Sequence, residues 1–539
     1  MQGLIMDYQL NVPAIVRRAE QLHAQRELAT RLPDKSWHTY TYADFVDRAK
    51  RLTVALRKEL GLGDGDRVGT LCWNHYQHLE AYLGLPTGGM VTHTLNLRLH
   101  ADDLTYIATH AGDRALLVDK VLWPLAETFK DRVGFEHVIA VGDGPTPDGA
   151  IDYEELLATA TTDEFEERDL DERLAAAMCY TSGTTGQPKG VVYSHRAIAV
   201  HTLAQLLGNA LPLTDADTVL PLVPMFHANA WGFPFACSLI GAKQVFPGPH
   251  LDPQSLLDAF VEHRVTLTAG VPTIWLGILQ MLDANPEGWD LSTLKAMVVG
   301  GSAAPRSMIE AFEKRHGLHI IHAWGMTEMA PLGTVSNLTA REQALSEDDQ
   351  FAYRAKQGVP APYVEIRARG AEGLVPWDGE TMGELEVRGV WIASSYYDAP
   401  DASDRWTDDG WFKTGDIVTI EPNGYIEIQD RAKDLVKSGG EWISTVALEN
   451  ALMGHPAVSE AAVIAIPDEK WSERPLAVCV LKEGASASPD QLRDFLAPSF
   501  AKWWLPDRFE FVEELPKTAV GKFRKTALRE RFAKQETPA

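Results

Sequence analysis

The sequence predicts an α/β protein with three parts: a large N-terminal region of α/β layers, a β-rich subdomain over residues 383–430, and a small α+β C-terminal part. Three observations carry this reading. Helical and strand patterns alternate through the first half, as in a largely parallel sheet with crossover helices. Between Gly383 and Asp430 the pattern changes to short strands with Gly and Asp-Gly turn signals, which suits antiparallel pairing. Near Lys433 the α/β rhythm restarts, leaving roughly 100 residues, the size of a small domain. The expected division is therefore residues 1–432 and 433–539.

Taken in order, Thr41 to Leu60 reads as a helix. Thr41 and Asp44 have capping-box spacing, Phe45, Ala49, Leu52, Leu56 and Leu60 recur at helical intervals, and Gly61 can close the end in the left-handed conformation. Residues 67–73, 115–119 and 137–143 read as short buried strands. GELEVRG, GWFKTGDIV and GYIEIQD follow as the antiparallel set. Past the polar run DRAKD come a helix over Ser444 to Met453 and strands at AAVIAIP and LAVCVLK.

Composition narrows the partners. The 539 residues carry 50 Lys and Arg against 75 Asp and Glu, a formal charge of −25. That field repels nucleic acid and anionic membrane surfaces, so an anionic ligand needs a local pocket of cations and backbone N–H groups. Cys72, Cys179, Cys237 and Cys479 lie far apart, with no metal-ligand spacing and no disulfide framework. No run approaches the roughly 18 apolar residues of a membrane helix, and no signal peptide or peroxisomal address is read, so the expectation is a cytoplasmic protein.

The most informative stretch is TSGTTGQPKG, residues 181–190. Three glycines among four hydroxyl residues, then Lys189, suit a polyphosphate: glycine allows close backbone approach, the hydroxyls donate, and successive N–H groups form an anion nest. The nucleotide-binding P-loop is excluded, because Lys189 is followed by Gly190 and a strand-like VVYSH. The same composition also serves an ordinary surface hairpin.

TSGTTGQPKG resembles the phosphate loop of the adenylate-forming superfamily: acyl-CoA and aryl-CoA synthetases, peptide-synthetase adenylation domains and firefly luciferase. PMFHANAW, VGGSAAP, AWGMTE, GELEVRG, WFKTGD, DRAKDLVKSGGEWIS and PKTAVGK follow in the family's order, so the resemblance spans essentially the whole chain. It is nearest to bacterial medium- and long-chain fatty acyl-CoA synthetases and 3-methylmercaptopropionate-CoA ligases. It implies two half-reactions, acyl-AMP formation from ATP and thioester formation with coenzyme A, with magnesium as counter-ion. It also implies that the small C-terminal domain is mobile.

The family pattern assigns roles residue by residue. Thr181, Ser182, Gly183, Thr184, Thr185, Gly186 and Lys189 would hold phosphates. Thr327 would touch phosphate, and Glu328 with Thr184 would bind magnesium. Gly301, Ser302, Ala303, Ala304 and Pro305 would line the adenine together with Ala323 and Trp324, and His322, Gly325 and Met326 of the same motif would belong to the nucleotide site; for Trp324, stacking and core packing both remain open. Asp416 would accept both ribose hydroxyls, and Arg431 would reach ribose or α-phosphate. Lys522 resembles the catalytic lysine of adenylation. His227 would position the acyl carboxylate, which is already ionised at neutral pH and needs no base. Trp231 matches an aromatic that gates the acyl tunnel, and Gly300 would be a further acyl-pocket position. Lys433 is the matched hinge; Lys437, Gly439 and Gly440 would face coenzyme A, and Trp442 would contact adenine or coenzyme A.

The acyl-side stretches mix small and aromatic residues without a fixed charge. An apolar, unbranched acid is expected, short to medium in length, with 3-methylmercaptopropionate the specific candidate. Long-chain fatty acids and aryl acids remain open, since apolar pockets discriminate weakly per methylene. A non-catalytic nucleotide-binding protein is the rival from another class; the presence of both Glu328 and Lys522 argues against it. Similar bacterial enzymes are often homodimers, so a dimer is expected by analogy.

Overall fold

A computed structural model describes all residues except 2, 182–186, 439–440, 469, 518–522 and 533–539. Two large sheets form the N-terminal region. In the first, the order of strands is Ile151–Asp152, His137–Val141, Asp113–Asp119, Arg67–Leu71, Val91–Thr94, Ala175–Tyr180 and Gly190–Ser194. All its pairs are parallel except the last, which is a hairpin. The second sheet has a parallel core built from Ile320–Gly325, Ala296–Val299, Leu267–Gly270, Thr218–Pro221, Lys243–Phe246 and Glu27–Arg31. Antiparallel strands flank that core: Trp37–Thr41 on one side, Leu332–Val335 and Val359–Pro360 on the other.

The local signals explain the elements. Tyr42–Leu60 is a helix with Thr41 as its N-cap, the reciprocal box with Asp44 in place and Gly61 at φ 63°. The cap meets N–H groups that have no partner in the first turn, and glycine takes the left-handed end without a Cβ clash. Asp113–Asp119 is buried along almost its whole length, as a parallel strand covered on both faces must be.

A five-stranded antiparallel sheet follows: Gly373–Leu374, Val364–Gly370, Gly383–Gly389, Phe412–Ile420 and Ile426–Arg431. The predicted strands are there. Val364–Gly370 extends the set upstream of the expected start, with Val364, Ile366 and Ala368 turned inward in strict alternation. Its inward side chains share one hydrophobic core with the helices and strands of the first sheet.

Arg431 ends the last strand of that sheet, and Val436–Ser438 begins the next one. There Ser472–Leu481 pairs antiparallel with Val458–Asp468 and parallel with Arg508–Phe511, under the helix Thr445–Met453. Ser444, the predicted first residue, is instead the N-cap, so the helix starts one residue later than expected. Among the described residues, no helix is long and apolar enough to cross a membrane.

Candidate active site

Open parallel sheets bind ligands beyond the carboxyl ends of their strands. The sequence-predicted residues fall at such ends in both large sheets. Ala175–Tyr180 leads into Thr181, Thr218–Pro221 into His227 and Trp231, Ala296–Val299 into Gly300–Pro305, and Ile320–Gly325 into Thr327 and Glu328.

The first of these ends is a closed hairpin mouth. Thr181 N–H donates to the Lys189 carbonyl at 2.9 Å, and Lys189 N–H donates to Thr181 Oγ1 at 3.1 Å. Ser182, Gly183, Thr184, Thr185 and Gly186 lie outside the described residues. The Lys189 ammonium stands 5.5 Å from the centre of the Tyr396 ring. Tyr396 donates its phenol proton to Glu328 Oε1 at 2.5 Å, and Glu328 is 6% exposed. Burial and then the Glu328 charge hold the Tyr396 phenol well above its usual range, so it stays a donor. Backbone contacts fix the rest: Tyr193 OH donates to the Thr327 carbonyl at 2.6 Å and Ala393 N–H to the Glu328 carbonyl at 2.8 Å. A cation, a buried carboxylate and a threonine thus converge on one edge.

A second carboxylate sits deeper. Asp416 is 2% exposed; its Oδ2 accepts the Trp324 indole N–H at 3.1 Å and its Oδ1 faces Arg431 Nε at 2.8 Å. Direct register between Asp416 and Arg431 on neighbouring strands makes that pair. The Trp324 ring is 8% exposed and packed in the main core, and its indole N–H aims Asp416. Ala304 and His322 are also buried. Ala304 packs in the second sheet's core, and His322 binds the Ala355 carbonyl at 3.1 Å, with burial pulling its imidazole down to about 4. These two shape the strand ends from beneath. Ala303, Gly325 and Met326 are partly exposed, Ser302 is exposed, and Pro305 caps the helix Arg306–His316.

The acyl-side segment has a backbone that nothing in the sequence signalled. Ala228, Asn229, Ala230, Trp231 and Gly232 all have positive φ, at 42°, 59°, 52°, 52° and 79°. Left-handed backbone costs an L-residue roughly 1–2 kcal/mol, so the surroundings must hold it. They do. Gln205 Nε2 donates to the Trp231 carbonyl at 3.1 Å, Asn74 Nδ2 to the Val223 carbonyl at 2.8 Å, and Thr94 Oγ1 to the Phe226 carbonyl at 3.1 Å. The turn seats the Trp231 indole over Gly300: a Cβ on that glycine would lie 2.8 Å from the ring. His227 is half-buried at the entrance to the turn.

The C-terminal residues are presented differently. Lys433 and Lys437 are exposed, and Trp442, opposite Lys437 on a hairpin, is 37% exposed. Gly439, Gly440 and Lys522 lie outside the described residues. Asn74, Gln205, Tyr193 and Tyr396 were not singled out from sequence. Each is a lone polar or aromatic residue far along the chain from its partner, and no local pattern marks it.

Residues 16–397 match the family described as AMP-binding enzyme, and residues 447–522 match AMP-binding enzyme C-terminal domain. The chain is 48% identical over 531 residues to a long-chain-fatty-acid–CoA ligase of Thermus thermophilus, covering 98% of this chain and 96% of that one. It is 42% identical over 541 residues to a 3-methylmercaptopropionyl-CoA ligase of Ruegeria lacuscaerulensis, covering 99% of each. Among solved structures, an anthranilate CoA ligase in complex with anthranoyl-AMP superposes with a TM-score of 0.87 at 26% identity, covering 98% of this chain and 99% of the other.

Proposed function

This chain belongs to the AMP-binding enzyme family as an AMP-forming acyl-CoA synthetase, and from that premise we propose that it activates a short- or medium-chain aliphatic acid, with 3-methylmercaptopropionate the specific candidate. The observation that carries the site is the convergence of Lys189, Thr327 and the Tyr396-held Glu328 at the hairpin mouth. The observation that carries the substrate class is the run from Pro224 to Phe235, which holds no Asp, Glu, Lys or Arg, with Trp231 seated on Gly300.

In the first half-reaction a carboxylate oxygen attacks the α-phosphorus of ATP. The bond to the bridging oxygen breaks, and pyrophosphate leaves with the electron pair. Two anions approach each other, so fixed positive charge and donors lower the barrier. Lys189 with the Thr181–Gly186 loop holds the β- and γ-phosphates. Asp416 takes both ribose hydroxyls, and Arg431, braced on Asp416, reaches the ribose or α-phosphate. Glu328 and Thr184 offer hard oxygen donors that suit magnesium, which supplies Lewis-acid charge on the phosphates when bound. His227 orients the acid. Lys522 bridges the attacking oxygen and the phosphate. In the second half-reaction the coenzyme A thiolate attacks the acyl carbon, and AMP departs through its phosphate oxygen.

Residues 433–539 turn about Lys433 between these steps, so that Lys437, Gly439, Gly440 and Trp442 replace Lys522 at the site. A homodimer and a cytoplasmic location accompany this reading. The 48% identity to a long-chain ligase favours a second reading, in which the acid is a long-chain fatty acid.

The test is AMP and pyrophosphate release with ATP, magnesium and coenzyme A over propionate, 3-methylmercaptopropionate, butyrate, hexanoate, octanoate, palmitate and benzoate. A maximum in kcat/KM on a short or medium aliphatic acid supports the proposal. Activity confined to palmitate or benzoate replaces the substrate and keeps the mechanism.

A further inference from the structure

A buried polar cluster spans the joint between the five-stranded sheet and the C-terminal sheet, and none of its members has a part in the chemistry above. Asp430, 1% exposed, is the residue before Arg431 on the last strand of the five-stranded sheet. Its Oδ2 accepts from the Thr445 backbone N–H at 2.7 Å and from the Thr445 hydroxyl. Beside it, the Ser444 hydroxyl donates to the Gln429 carbonyl. Ser444 and Thr445 begin the first helix after Lys433, so these bonds cross the joint.

The far side of the cluster is anchored by the last described helix, Lys525–Phe532. The Lys525 ammonium donates to Thr445 Oγ1 and lies 2.7 Å from Glu449 Oε1. Four residues on, one turn along the same face, Arg529 pairs with Asp434 at 2.5 Å. One helix therefore grips both sides of Lys433: Asp434 directly, and Asp430 through Thr445. Burial pushes the Asp430 carboxyl up while the Lys525 charge opposes it, as expected for a carboxylate that depends on these partners.

Turning residues 433–539 as a body about Lys433 would carry Thr445 and Lys525 together and leave Asp430 behind. The Asp430–Thr445 and Gln429–Ser444 bonds would break, while Lys525–Glu449 and Arg529–Asp434 would travel intact. We propose that Asp430 and Lys525 are positioning residues for the two-step reaction: Asp430 latches the C-terminal unit in the observed pose, and Lys525 holds the Thr445 group on which the latch closes. This rests on the two-pose reading of the ligase.

The test compares the two half-reactions in the full-length enzyme: pyrophosphate release with hexanoate and ATP, and hexanoyl-CoA formation from supplied hexanoyl-AMP. Removing one hydrogen bond to a buried charge should shift the ratio of the two rates by about fivefold or more. Asp430→Asn and Thr445→Val should shift it in the same direction, and the double variant should shift it no further than the larger single one. Lys525→Met should move it the same way, and Lys525→Arg should restore most of it. Trypsin cleavage at Arg431 and Lys433 should speed up in Asp430→Asn while the melting temperature of the N-terminal region holds. Equal scaling of both half-reactions, or unchanged cleavage in Asp430→Asn, would overturn the latch. A wild-type enzyme inactive in both half-reactions with hexanoate would instead sink the short- to medium-chain substrate reading, and the cleavage rates would still decide the latch.

Discussion

Asp416 is 2% exposed and held from two sides, by Trp324 and Arg431, whereas Lys433 and Lys437 across the joint are exposed and Trp442 sits on a hairpin at 37% exposure. On the N-terminal side, the Glu328 and Asp416 carboxylates are pre-aimed, each by a buried hydrogen bond. Among the described residues of the C-terminal unit, Lys433, Lys437 and Trp442 lie on its surface. Preorganised donors lower a barrier without reorganising during the step. Groups that must serve at one step and be absent at the next are better placed on a part that moves.

Four substitutions break or sharpen that contrast. Lys522→Ala removes a group of the C-terminal unit and should reduce acyl-AMP formation by about 10²–10³-fold, the scale of losing one transition-state donor. Thioester formation from supplied acyl-AMP should change far less; equal losses in single-turnover assays would refute the division of labour. Lys433→Pro fixes φ at the joint and should hold the unit in one pose, so one half-reaction survives while overall turnover falls about tenfold or more. Normal steady-state turnover by that variant would show that the joint lies elsewhere. Tyr396→Phe, on the fixed side, leaves the Glu328 carboxylate without its phenol donor and should cost about 1–3 kcal/mol in kcat/KM for adenylation. The supplied acyl-AMP reaction should be untouched by it. Smallest is Ala228→Gly, which relieves a Cβ in left-handed backbone at φ 42°. It should raise stability in a urea melt by up to about 1 kcal/mol while raising KM for the acid, because Trp231 is seated less firmly.

The fold was legible where local chemistry and burial agree. The Thr41 capping box, the apolar strands and the Gly-rich hairpin all declare themselves within a few neighbouring residues. The charged members of the candidate site also stand in motifs: Lys189, Glu328, Asp416 and Arg431. What braces them was not legible. Tyr396 reaches Glu328 across 68 residues of chain, and Asn74 reaches the Val223 carbonyl across 149. Such partners have no periodicity to read. The left-handed run at Ala228–Trp231 is hidden for another reason: alanine and tryptophan ordinarily avoid that backbone, and only the surrounding fold imposes it. For Trp324 the motif left stacking and core packing both open, and the core packing with its bond to Asp416 is what the fold adds.

The pairing of Glu27–Arg31 with Lys243–Phe246 sets a schedule for biosynthesis. The first strand emerges early, yet its parallel neighbour is not made until residue 246. At ordinary synthesis rates of ~5–20 residues per second, the nascent strand waits roughly 10–40 s with one edge open. Meanwhile Trp37–Thr41, only a few residues downstream, can close its other edge as a hairpin. A ribosome that stalls before residue 243 therefore displays an unpaired apolar edge, which makes this stretch a natural point of chaperone engagement.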